Sequence, residues 1–221
     1  MTNDPDLAGL AALITEPARA AMLAHLLDGR GWTATELGRA ASVAPSTAST
    51  HLRKLVDGGL IRMTPNGRHR YFQLAGAPVA RLVEQFAGFA MPQRPRTPGE
   101  QRASHALRRC RLCYDHLAGA TGVALAEALV RAGWIVEEEP WFRVTPAGHA
   151  ALAALGIDAA HGRTCMDWSE RRLHVAGSLG VALARTALER EWVRREPSGR
   201  ALWVTPRGED ALREVFGVEP A

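Results

Sequence analysis

The sequence predicts a mainly α chain with small β-hairpins (α+β), divided into two parts. Three observations carry this expectation. Apolar residues recur at helical spacing in short runs, several of them opened by a Thr or Pro start signal. Short strand-like runs flank turn residues, as in IRMTPNGRHRYFQL (61–74) around Asn66-Gly67. The segment MPQRPRTPGEQR (91–102) holds three prolines and a glycine. Proline lacks a backbone donor and restricts the residue before it, so this segment is read as a boundary.

In the first part, Leu7–Ile14 is apolar at helical spacing, and Glu16-Pro17 starts a second helix that runs to Leu27. Thr33 precedes a third helix, TATELGRAA, with Glu36 placed for a capping box. Residues 42–61 give a turn and a fourth helix from about Pro45, ended near Gly58-Gly59. The hairpin follows, then a last apolar helix over Val79–Met91.

The second part contains a repeat. HLAGATGVALA (116–126) and HVAGSLGVALA (174–184) agree at eight of eleven positions, at an offset of 58. Trp134 matches Trp192 at the same offset, and VTPAG (144–148) matches VTPRG (204–208) after a two-residue slip. Each unit, 116–157 and 174–218, reads as helix, strand, turn, strand and a helix opened by Thr-Pro-x-Gly. The same outline fits Lys54–Leu82 more loosely. The expected architecture is an N-terminal winged helix (1–91), a linker (92–102) and a C-terminal domain (103–221) of two degenerate winged-helix-like repeats.

The chain has 221 residues, of which 47% are apolar and 23% charged, an ordinary globular composition. No apolar run reaches membrane-spanning length and MTNDPDLAGL does not read as a signal peptide, so no membrane partner and a cytoplasmic location are expected. Three cysteines leave at least one unpaired by any intramolecular disulfide, which suits a reducing compartment. The net charge is +4 and the sequence pI about 9.5. That balance fits either an Arg-rich composition or a polyanion partner, and the placement of the charge decides between them.

A helix that reads DNA needs short polar side chains at its N-terminus, where base edges and phosphates are met. Pro45, Ser46, Thr47, Ser49, Thr50 and His51 supply them, and Arg53 and Lys54 follow. Leu52, Leu55 and Leu60 are left to face a core. The hairpin tip Asn66-Gly67-Arg68-His69-Arg70 is a basic wing, with Arg68 and Arg70 placed for a phosphate backbone.

With those pieces in this order, residues 10–90 resemble the ArsR/SmtB-type winged helix-turn-helix repressors. The resemblance rests on EPARAAMLAHLL, TATELGRAASVAPSTASTHLRKLVDGGLI and GRHRYFQL and covers about two fifths of the chain. It implies a homodimer on a double-stranded DNA operator with two-fold symmetry, released when a ligand binds. The chain departs from the family at its metal positions. TATELGRAA holds no Cys or His, and ARLVEQFAGFAM holds no His and one carboxylate, Glu84. Sensing is therefore expected in the C-terminal domain.

All three cysteines lie there. Cys110, Cys113 and His116 are spaced by three, which would bring them near one face of a helix. Cys165 lies nine residues before His174, and the two histidines occupy equivalent repeat positions. Asp115 and Asp167 each stand two residues after a cysteine. If the repeats pack about a pseudo-two-fold axis, Cys113, His116, Cys165 and His174 would suit Zn²⁺. Cys110, Cys113 and Cys165 would suit a softer metal or a metalloid. An organic effector walled by Trp134, Trp168 and Trp192, and a purely structural interface, are the alternatives. Cys110, flanked by Arg109 and Arg111, is expected to be peripheral and more exposed.

Glu137-Glu138-Glu139 sits where a second wing would be and would repel phosphate, whereas Arg194–Arg200 is basic but reads as a solvated hairpin. No phosphate loop or catalytic triad spacing is found, so no enzyme is expected. The sequence reads as a cytoplasmic, dimeric DNA-binding repressor released by a ligand, metal or thiol-reactive signal in its C-terminal domain. The alternative is a ligand- or metal-binding protein with a vestigial helix-turn-helix.

Overall fold

The computed structural model describes residues 4–90, 95, 97–197 and 199–218. It divides into two compact units, Met1–Val83 and Glu84–Ala221. Residues 92–94 and 96 of the expected linker lie outside the described residues, as do Met91 and Ser198.

The first unit opens with α1 (Leu7–Thr15) and α2 (Pro17–Leu26). Glu16 caps α2 by accepting from the Arg19 N–H, and Pro17 fills a first-turn position where its missing donor costs nothing. A two-residue strand, β1 (Trp32–Thr33), leads into α3 (Ala34–Ala40). Thr33 and Glu36 close both halves of the expected capping box. The fourth helix, α4 (Pro45–Asp57), turns Ala48, Leu52 and Leu55 inward. At the α3–α4 crossing, a Cβ added to Gly38 would lie 3.1 Å from the Ala48 Cβ, so a larger residue would push the two helices apart. Met22, Leu23, Leu26 and Leu37 complete this core. Each buried Leu contributes about 1.5–3 kcal/mol.

The hairpin consists of β2 (Ile61–Asn66) and β3 (His69–Leu74), and β1 pairs with β3 to give the sheet order β1-β3-β2. Asn66 is itself paired with His69, so the turn is Gly67-Arg68, one residue beyond the expected Asn66-Gly67. Gly67 takes the positive φ, 58°, that this turn requires. The helix α5 (Ala77–Phe89) follows.

The second unit begins with α6 (Pro98–Arg109), so residues 98–102, read as linker, are the first turn of a helix. Thr97 and Glu100 form a capping box around Pro98. Next come the hairpin β4 (Arg111–Cys113) and β5 (His116–Ala118), then α7 (Gly119–Arg131), the hairpin β6 (Ile135–Glu138) and β7 (Trp141–Val144), and α8 (Pro146–Ala154). The second repeat runs through β8 (His161–Met166), β9 (Leu173–Ala176), α9 (Gly177–Glu189), β10 (Val193–Arg195), β11 (Leu202–Val204) and α10 (Pro206–Phe216). Thr145 and Thr205 cap α8 and α10 identically, each accepting from a glycine N–H three residues on.

The repeats exchange elements. The first repeat's β6-β7 joins the second repeat's β8-β9 in one antiparallel sheet, β6-β7-β8-β9. Reciprocally, β4 meets the chain beside β11: the Leu112 N–H donates to the Arg200 carbonyl and the Leu202 N–H to the Cys110 carbonyl, each at 2.9 Å. Helix α7 packs on β9 while α9 packs on β5. Each hairpin that opens a repeat is therefore covered by the helix of the other. Leu112, Leu129, Phe142, Leu179, Leu183 and Leu202 lie in the shared core. Among the described residues, no single helix is long and apolar enough to cross a membrane.

Candidate nucleic-acid interface and metal centre

The first unit places Pro45, Ser46, Thr47, Ser49, Thr50, Arg53 and Lys54 on the exposed side of α4. Burial of Ala48, Leu52 and Leu55 at helical spacing fixes that orientation. Ser49 Oγ donates to the Pro45 carbonyl (2.9 Å) and Thr50 Oγ1 to the Ser46 carbonyl (3.2 Å), so both hydroxyls rest on the helix while free to accept. His51 departs from the set: it is half-buried, with Nδ1 3.3 Å from Arg19 Nη1 and 3.4 Å from Glu16 Oε2. It lies three residues from Ala48 and four from Leu55, the spacing of one helix face, which turns it towards α2, away from the polar face. Arg68 and Arg70 are exposed in the hairpin. The sequence missed Arg19, which is buried and donates to the Leu13 carbonyl (2.7 Å) and the Ala12 carbonyl (2.6 Å), tying down the end of α1.

The second unit brings Cys113, His116, Cys165 and His174 together, with no two of their ligand atoms more than 4.8 Å apart. The local structure differs from the helix considered above. Cys113 faces His116 across the β4–β5 hairpin, and Cys165 faces His174 across β8–β9. Both are direct cross-strand pairs, although their separations in sequence differ, because the second hairpin has a longer loop. Between the hairpins, the two Sγ atoms are 4.0 Å apart and the two Nε2 atoms 3.2 Å.

Each histidine turns its other nitrogen to a carboxylate. His116 Nδ1 lies 2.9 Å from Asp115 Oδ1, and His174 Nδ1 faces Asp167 Oδ2 at 3.6 Å. Burial opposes a charge on His116, but Asp115 and Cys165 outweigh it and raise its pKa. The two thiols are shifted in opposite directions. The Cys113 S–H bonded to Cys165, together with the two histidines, depresses Cys165 despite its burial. The same bond and burial push Cys113 well above the ordinary thiol range.

Asp167 and Trp168 support the cluster without joining it. Asp167 is fully buried and paired with the fully buried Arg111 (2.9 Å), and it accepts from the Gly119 N–H (2.7 Å) at the start of α7. Burial alone would raise its pKa, but Arg111, Ser169 and Gly119 hold it well below the usual carboxylate range. Arg111 also donates to the Leu107 carbonyl of α6 (3.2 Å), and its guanidinium lies 4.5 Å from the Trp168 ring centroid. A chain of hydrogen bonds thus runs from Gly119 at the start of α7 through Asp167 and Arg111 to α6, with His174 facing Asp167 beside it. Arg111 escaped the sequence reading because an arginine beside a cysteine carries no burial signal.

Cys110 is not peripheral as expected. It is 0% exposed, its side chain lies in the apolar core, and burial pushes its thiol up to about 12. It stands outside the four-residue cluster, so the three-thiolate set is not assembled. The three tryptophans do not wall one cavity either. Trp134 and Trp192 meet Phe216 edge-on, at 5.8 and 6.0 Å, while Trp168 covers Arg111. The cavity beside Trp192 holds about 20 Å³, room for about one water.

A Helix-turn-helix domain family, HTH_20, matches residues 14–64. The HTH-type transcriptional regulator YdfF of Bacillus subtilis (strain 168), itself uncharacterized, is 38% identical over 224 residues, 98% of this chain and 99% of that one. Among solved structures, the chain is similar to the homodimeric winged helix-turn-helix DNA-binding domain (fragment 1–100) of Mb0332 from Mycobacterium bovis, a possible ArsR-family transcriptional regulator. That match has 26% identity, covers 39% of this chain and 86% of the other, and has a TM-score of 0.34. The cadmium metal-sensor CMTR from Mycobacterium tuberculosis is 28% identical over 42% of this chain and 95% of its own, with a TM-score of 0.34. The agreement with YdfF runs through nearly the whole of both proteins, and by it this chain belongs to the HTH-type transcriptional regulators.

Proposed function

We propose that the chain is a dimeric repressor. In this reading its first unit holds an operator of two-fold symmetry, and its second unit releases that operator when a signal reaches the Cys/His cluster. The observation that carries the reading is the exposed polar face of α4, Ser46 to Lys54, set over a fully apolar inner face and followed by the Arg68/Arg70 hairpin. The polar side chains supply base readout and the two arginines supply phosphate contacts. Phe86 and Phe89 of α5 are exposed apolar side chains, surface that pairing of two chains would cover. Release requires the signal to favour one of two dimer geometries, since equal affinity for both shifts nothing.

Selection of bound fragments from randomised duplex DNA tests this. An inverted repeat, occupied by two chains, is the expected product. Recovery of unrelated sequences with no inverted repeat would favour a ligand-binding protein that keeps a vestigial helix-turn-helix.

A further inference from the structure

We infer that Cys113, His116, Cys165 and His174 form a closed tetrahedral Cys₂His₂ site for one Zn²⁺ ion, which cross-links the two repeats. The inference stands on the second unit alone and does not depend on the DNA-binding reading. Zinc bonds of about 2.3 Å to sulfur and 2.0–2.1 Å to nitrogen place tetrahedral ligands about 3.8 Å apart for two sulfurs and about 3.3 Å for two nitrogens. The observed separations are 4.0 Å and 3.2 Å. The remaining pairs lie within 4.8 Å, so side-chain movement of about 1 Å closes the shell.

The histidine hydrogen bonds point the same way. His174 is 1% exposed, yet its Nδ1 has no hydrogen-bond partner. With the Nε2 atoms facing one another at 3.2 Å, a metal-free pair holds a proton between them. Whichever histidine donates that proton is left, when neutral, with an unprotonated Nδ1 turned to a carboxylate. An ion between the Nε2 atoms removes the conflict. Both Nε2 lone pairs then coordinate, both Nδ1 atoms carry protons, and these face Asp115 and Asp167. Carboxylates placed in this way fix imidazole orientation and raise ligand basicity.

The donor set selects the ion. Two thiolates and two imidazoles disfavour Mg²⁺ and Ca²⁺, which take oxygen. An iron–sulfur cluster ordinarily takes four thiolates, and trivalent arsenic would need the third thiol that Cys110 keeps in the core. Four protein ligands leave no open position, so the ion is held rather than used for hydrolysis. Each hairpin gives one Cys and one His, so the ion joins β4–β5 to β8–β9 where the repeats exchange elements.

The test uses the full chain, purified under reducing conditions, stripped with a chelator and titrated with zinc alone. One zinc per chain is expected by elemental analysis. Cobalt(II) in its place should give the intense visible absorption of a tetrahedral site together with a near-ultraviolet thiolate band. Cys110→Ala should keep one zinc, whereas Cys113→Ser and Cys165→Ser should lose stoichiometric binding. Should those variants fail to fold, the cobalt spectrum of the unmodified chain still decides. Failure of that chain to take up either metal, an octahedral cobalt spectrum, or full zinc retention in a folded Cys165→Ser would overturn the assignment.

Discussion

Arg111→Met keeps most of the side chain's apolar stem and removes its charge. In the native protein, Asp167 Oδ1 accepts from Arg111 Nη2 (2.9 Å), from Ser169 Oγ (2.7 Å) and from the Ser169 N–H (2.9 Å), while Oδ2 accepts from the Gly119 N–H (2.7 Å). Both partners are fully buried, so the variant keeps a buried carboxylate with neutral donors and no Arg111 counter-charge. Removing one partner of a buried pair costs about 3–5 kcal/mol, and the surviving donors place the expected loss near the lower end, about 3 kcal/mol. At about 3 °C per kcal/mol for a protein of this size, Tm should fall by about 9 °C. Thermal melts followed by circular dichroism measure it. Adding Asp167→Asn removes the stranded charge and should recover a substantial part of the loss. The pH dependence has a definite sign. Arg111 helps hold Asp167 below its unfolded value, so its contribution is present above about pH 4 and fades as pH falls through the folded value. In the variant, Asp167 takes up a proton more readily than in wild type, so the gap to wild type narrows as pH falls below about 4. A loss under about 1 kcal/mol at neutral pH, or a double variant no better than the single, would refute the reasoning.

Arg68→Ala with Arg70→Ala should weaken binding to all duplex sequences and reduce the salt slope by about 1.8, two phosphate contacts at about 0.9 each; an unchanged slope removes the wing assignment. Thr50→Ala should alter base preference at one position of each half-site while leaving Tm nearly unchanged, because its hydroxyl bonds only within α4 among the described contacts; selection from randomised DNA checks the first and a melt the second. Thr33→Ala should cost about 1 kcal/mol by opening the capping box. Hydrogen bonds from Thr33 outweigh burial and lower the Glu36 pKa, so the contribution of that box should be present above about pH 4.3 and be lost as pH falls through the folded value. Urea titrations at two pH values measure it.

Local chemistry made much of the first unit legible. The capping box at Thr33, the proline at the start of α2 and the apolar period of α4 are each decided within a few residues. The repeat made α8 and α10 legible in the same way, since Thr-Pro-x-Gly opens both helices. The hairpin β4–β5 was hidden for the opposite reason. Its two-residue loop, Tyr114-Asp115, has no glycine, and Tyr114 takes a φ of 65° that a bulky residue disfavours. Pairing with Arg200 and Ala201, distant in sequence, supports that conformation. The cluster was only partly legible. Equivalent histidines pointed to it, but the cysteines are out of register in sequence and in register only across strands. Cys110 misled because Arg111 beside it is buried by a partner 56 residues away. Residues 98–102 misled because three prolines were read as a break, although Thr97-Pro98-x-Glu100 is a helix start.

Operator binding at controlled zinc occupancy tests the central claim most directly. Fluorescence anisotropy on the selected inverted repeat, at one salt concentration, compares the stripped chain with the chain carrying one zinc. With zinc as the signal that reaches the Cys/His cluster, the account predicts tight binding by the stripped chain and binding weakened by about tenfold or more on loading, within the about 5–150-fold range of ordinary allosteric coupling. It also predicts that Cys165→Ser stays bound at every zinc concentration. Equal operator affinity in the two states would contradict it, and would leave the Cys/His cluster as a fastener between repeats with no voice in DNA binding.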